Sequence, residues 1–114
     1  MKQISNTTVN ASTSLVIDVA DYTDAAIRAV GVWNGTLSFT GSVLGSEYVA
    51  LGVQSFGATD LTAAVTSLAN SSSFSSNAFR VNVAGLKEIK FSLGPSDTGS
   101  VGIAVNLIST SNAR

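Results

Sequence analysis

The side chains able to do chemistry are few here, and their spacing limits what they can do. Asp18, Asp21 and Asp24 recur every third residue, and hard carboxylate oxygens at that density suit calcium. The stretch lacks the glycine and distal glutamate of an EF-hand loop, and turn formation accounts for the same three acids. No metal is expected. Trp33 with Asn34, and Tyr48 further on, are the residues suited to stacking on a sugar ring and bonding its hydroxyls. Packing at the edge of a sandwich explains these aromatics more simply. The chain has no histidine and no cysteine, which removes the usual triads, dyads and thiolate chemistry. Asp60 and Asp97 complete the set of aspartates, and capping or turn roles suffice for them. The expectation is a protein that is not an enzyme and takes no cofactor.

Composition points the same way. Apolar residues make up 45% of the 114 residues and charged residues only 11%, against a usual charged share of about 25%. Ser, Thr, Asn and Gly supply the polarity. Such a surface loses little charge solvation when it meets another protein. Seven acidic and six basic residues are scattered singly, for a net charge of −1. No basic patch exists to neutralise phosphates, so no nucleic-acid partner is expected. No run approaches the roughly 20 apolar residues of a membrane span. Met1-Lys2-Gln3-Ile4 opens no apolar leader, so synthesis in a cytoplasm without a cleaved signal is expected. Four matches to the glycosylation acceptor pattern, at Asn6, Asn10, Asn34 and Asn70, are ordinary in so Ser/Thr/Asn-rich a chain.

The elements that would carry these residues alternate with a period of two. Phe79, Val81 and Val83, then Ile89, Phe91 and Leu93, then Val101, Ile103, Val105 and Leu107 each mark one face of a strand. Gly85 breaks the first pair and Gly94-Pro95 the second, which predicts a three-stranded antiparallel meander. Upstream, Leu15–Val19, Ile27–Trp33, Thr36–Val43 and Tyr48–Val53 read as further strands. Asn34-Gly35 between two of them predicts a hairpin, because both residues tolerate positive φ. Spacings near ten residues predict an all-β antiparallel sandwich, jelly-roll or Ig-like, of about seven or eight strands. Asp60–Asn70 fits two periods. Leu61, Ala64, Val65 and Leu68 have helical spacing behind a capping Asp60, whereas Thr62, Val65 and Thr66 suit a strand. The β context favours the strand, with a short helix near 60–69 as the alternative. Ser71–Asn77 reads as a flexible loop whose Phe74 is a tether or a contact. Residues 1–13 read as an extended N-terminal arm, either a first strand or a segment ordered on a neighbour, ahead of a single sandwich domain over 14–114.

The 79–109 stretch, with its Ala84-Gly85-Leu86-Lys87 turn and its Asp97-Thr98-Gly99-Ser100 turn before the last strand, resembles a β-module of tailed-bacteriophage virion proteins. The central run Trp33–Leu51 is similar to the same modules. The resemblance implies capsid decoration (cement) proteins, tail or baseplate parts, or sugar-binding jelly rolls. Where sugar-binding relatives carry Asp-Gly in a strand turn this chain has Leu44-Gly45, which weakens the carbohydrate reading. What the resemblance implies is therefore a decoration protein on the outside of an assembled capsid, made in the host cytoplasm. It would contact the major capsid protein, and other copies of itself as a trimer. Ile4, Val9, Phe74, Arg80 and Lys87 are the expected contact residues. A host-surface carbohydrate- or receptor-binding module using Trp33, Asn34 and Tyr48, or a tail or connector subunit, is the alternative.

Overall fold

The alternation of apolar and polar residues is realised in strands, but their length and partners differ from the local reading. The computed structural model describes residues 2–55 and 65–109. These form eight strands and, among the described residues, no helix: β1 Lys2–Val9, β2 Leu15–Asp18, β3 Asp24–Ser42, β4 Val49–Ala50, β5 Gln54–Ser55, β6 Ser67–Asn82, β7 Glu88–Leu93 and β8 Thr98–Ile108. The fold is all-β and antiparallel, as the periodicity predicts.

The organising element is β3, 19 residues long. On one edge it pairs with β6 from Asp24 to Ser38 and then with β4. On the other it pairs first with β8, Asp24 to Asn34, and then with β7, Leu37 to Ser42. β7 and β8 therefore lie end to end along one edge of β3. β1 and β2 lie end to end beyond them, β1 on β8 and β2 on β7. The expected 79–109 meander is thus corrected: its three strands each pair with β3 instead of with one another. The Asn34-Gly35 hairpin is corrected too. Asn34 and Gly35 lie inside β3, and Gly35 uses its glycine freedom (φ +141°) within the strand rather than at a reversal.

β3 cannot be straight. Phe79 pairs with Ile27, twelve positions before Phe39, a separation of about 40 Å along an extended strand. Yet the rings of Phe39 and Phe79 have their centroids 5.4 Å apart. The sheet folds over on itself, and its two halves face each other as the layers of a sandwich. The core between them holds Ile27, Trp33, Leu37, Phe39, Phe79, Ile89, Phe91, Ile103 and Leu107, all essentially buried, and Phe39 meets Phe91 edge-on at 5.9 Å.

The crease crosses each line of strands at an interruption. Between β1 and β2 it is Asn10–Ser14, and between β7 and β8 it is Gly94–Asp97, four residues opposite Gly35 and Thr36. Between β3 and β6 it is a bulge, where Ser72 (φ +59°) is the extra residue opposite Trp33 and Asn34. A broken ladder leaves backbone groups to satisfy, and one Asx side chain does so at each crossing. Asn10 Oδ1 accepts from the Ser12 N–H and hydroxyl at 3.0 Å each. Asn70 Nδ2 donates to the carbonyls of Trp33 (2.8 Å) and Ser73 (2.7 Å). Asp97 Oδ2 accepts from the N–H of Gly94 (2.7 Å) and Thr36 (3.0 Å). The Asp97 carboxyl sits in the space left by Gly35, where an added Cβ would fall 2.0 Å from Cγ.

Ser71–Asn77, read from composition as a loop, is interior to β6; its residues are mostly exposed, so serine and asparagine suit a strand wetted on both faces. Of Asp60–Asn70, residues 60–64 lie outside the described residues. Val65 bridges to Val53, and Ser67 onward is strand. Lys2–Val9, read as part of an arm, is a strand of the sheet.

Candidate interaction surfaces

The structure sorts the predicted site residues into interior and surface. Trp33, the stacking platform of the alternative carbohydrate reading, is 2% exposed and belongs to the core. That corrects the sugar-stacking reading: the indole faces inward, while Asn34 is exposed. Tyr48 is tied down as well. Its hydroxyl donates to the Glu88 carboxylate, and Lys90 Nζ lies 5.0 Å from its ring centroid. The bond to Glu88, then desolvation, then the Glu88 charge hold the phenol pKa above its ordinary value. Val9, expected to meet a neighbour, is fully buried in this chain's own core opposite Val101, which corrects that assignment. Ile4 is half-buried and packs against the same core. Phe74, Arg80 and Lys87 are exposed.

The three spaced aspartates act locally. Asp18 Oδ1 accepts from the Ala20 N–H at 2.9 Å, and Asp24 Oδ2 accepts from the Thr23 hydroxyl at 2.9 Å. Among the described residues no group of three acids lies close enough to hold a metal ion.

Two surfaces remain. The first is the tip that follows β3. Ser42, itself buried, accepts the Gly45 N–H on its hydroxyl (2.7 Å) and the Lys87 N–H on its carbonyl (2.8 Å). Gly45 has φ +87°, with the Lys87 stem against it. This turn pushes Val43, Leu44 and Val49 outward, to 66, 75 and 66% exposure. With Gly41 and Glu47 they line a shallow hollow of about 210 Å³. Alternation alone assigns Val43 inward, so the tip was missed; an apolar Leu44 inside a Gly-Ser turn was the available signal.

The second is the outer face of the layer made by β8, β3 and β6. Cross-strand rows there are Ser100–Val32–Phe74, Gly102–Val30–Ser76, Ala104–Arg28–Ala78 and Asn106–Ala26–Arg80. Val32 and Phe74 are 56 and 70% exposed and side by side. Arg28 stands above small neighbours, so a hollow opens on each side of it, of about 260 Å³ toward Val30 and Gly102 and about 220 Å³ toward Ala26 and Ala78.

Bent antiparallel layers over one core define a β-sandwich module. No protein-family profile matches the chain. No curated protein matches it either. Among solved structures the fold is similar to that of the SPBc2 prophage-derived protein YomS, with a TM-score of 0.66 at 17% identity over 96% of each chain.

Proposed function

We propose that this chain is a bacteriophage structural protein that adheres to the outer surface of the assembled capsid and stabilises it, as a decoration protein acting in a small ring of copies. The observation that carries the reading is the grouping of exposed apolar side chains on a sparsely charged surface: Val32 with Phe74 on a sheet face, and Val43, Leu44 and Val49 at a tip. Apolar patches rimmed by polar residues mark sites that meet another protein. The likeness in fold to a prophage-derived protein over nearly the whole of both chains supports the phage setting. The proposed function is adhesive rather than catalytic, in keeping with a sequence that holds no histidine or cysteine to serve as a general base or thiolate nucleophile.

The shell contact is assigned to the Val32–Phe74 pair and the serine-rich stretch of β6 around it. The mechanism is linkage. A protein that binds the assembled shell and not its free subunits stabilises it by RT ln(1 + [L]/Kd), about 2.7 kcal/mol per site at a hundredfold excess over Kd.

The test is co-sedimentation with empty expanded shells assembled from the capsid protein of the same genome. Saturable binding to shells, none to unassembled subunits, and a shell melting temperature that rises with occupancy are expected. Phe74→Ser should lower occupancy while the chain's own melting temperature stays put. Equal binding by shells and free subunits, or no binding by a folded sample, refutes the reading.

A further inference from the structure

We infer that copies of this chain join head to tail, the Val43–Val49 tip of one copy seating on the Arg28 face of the next. This deepens the proposed ring of copies by naming its contact, and it is tested on the chain alone, so its failure leaves shell binding to be judged separately.

The two surfaces carry matching apolar groups. At the tip, a glycine turn held by Ser42 projects Val43 and Leu44, with Val49 beside them, around a shallow hollow. The face is concave where Gly102, Ala104, Ala26 and Ala78 flank Arg28, and its two hollows suit branched aliphatic side chains.

They are complementary in charge. Glu47 lines the hollow of the apolar tip, and the Lys87 stem packs against Gly45 in the same turn. Arg28 lies between the hollows and lines both. Neither Glu47 nor Arg28 has an ion pair or side-chain hydrogen bond within the described chain, while other acids here do find local partners, as Glu88 does in Tyr48 and Asp97 in two backbone N–H groups. The face carries Arg80 and Asp24 further along, so its middle is positive. A carboxylate arriving between two aliphatic groups is the partner that Arg28 and its hollows fit, and Glu47 between Leu44 and Val49 presents that arrangement.

The contact joins two different patches, so it is heterologous and closes only as a ring; a rotation that does not close would give a filament. Exposed apolar groups at both patches supply the attraction, and the single ion pair fixes register and excludes the wrong approach.

The experiment is sedimentation velocity with light scattering on the full chain over a wide concentration range, without shells. The variants are Arg28→Glu, Glu47→Arg, the double exchange, and Leu44→Ser. All change exposed residues, so melting temperatures near wild type are expected. The wild-type chain should form a discrete oligomer. Each single charge reversal should weaken it by about tenfold or more, and the double exchange should recover most of the loss. Leu44→Ser should weaken it with no effect on charge. A monomeric wild type overturns the inference. So do single reversals that leave the oligomer intact, or a double exchange no better than the worse single variant.

Discussion

Replacing Asp97 tests whether the crease is held as its geometry indicates. Asp97 Oδ2 accepts two backbone N–H groups, from Gly94 at 2.7 Å and Thr36 at 3.0 Å, where β3 changes partner from β8 to β7. A hydrogen bond to a charged group contributes about 1.5–3 kcal/mol, and water replaces part of the bond at exposed Thr36, so Asp97→Ala should cost about 2–4 kcal/mol. For a domain of this size that is a fall in melting temperature of about 6–16 °C. Asp97→Asn keeps an oxygen acceptor but loses the charge, and should cost about half as much. Gly35→Ala should also be destabilising, because its Cβ would fall 2.0 Å from the Asp97 Cγ. In the double variant the carboxyl is gone and that clash with it. The double should therefore be more stable than the summed singles by about 1 kcal/mol or more. Urea unfolding followed by tryptophan fluorescence reads all four variants against the wild type, since Trp33 lies in the core at the same crossing. A loss below about 0.5 kcal/mol for Asp97→Ala, or strict additivity in the double, would refute the clamp.

Two further outcomes follow from the described contacts. The bond from Tyr48 to Glu88 raises the phenol pKa. Its stabilising share is complete below the unfolded value near 10 and is lost as pH rises through the higher folded value. Alkaline titration of tyrosine absorbance should show this ionisation moving to lower pH in Glu88→Gln; an unmoved curve contradicts the assignment. Deleting residues 2–9 removes β1 from the edge of β8 and takes away buried Val9. That variant should unfold at markedly lower urea concentration than the full chain, and an unchanged midpoint would mean that β1 is dispensable to the fold.

The strands were legible because their side chains obey the period of two. Ile89, Phe91 and Leu93, and Val101 to Leu107, fall on the buried face as the pattern requires. Partnership was not legible, because it was inferred from adjacency in the chain. Neighbours in sequence usually pair, but a 19-residue β3 offers two successive edges, and β6, β7 and β8 all use them. Asn34-Gly35 misled for a related reason. Positive φ is demanded both by a hairpin and by a bulged crossing, and residue type alone does not separate the two. Trp33, read as packing at the edge of the sandwich, lies deeper, in the core at the crossing. The serines of β6 read as loop because composition reports solvent contact, and a strand exposed on both faces has the same composition as a loop. The tip and the Arg28 face were invisible for want of the third dimension: the small residues that hollow the face come from β3, β6 and β8.

The crease also explains why so little chemistry is left on the surface. Folding one continuous sheet into two layers breaks three strand lines, and Asn10, Asn70 and Asp97 are committed to the backbone groups released there. Other acids serve turns or Tyr48. Among the described residues outside those duties, Glu47 and Arg28 stand beside exposed aliphatic groups on different elements, the one on a turn and the other on a sheet. Neither supports the core or the crease. On the proposed reading, stability and adhesion rest on separate residues, so changes at the tip or the face are expected to alter binding while the melting temperature stays near wild type.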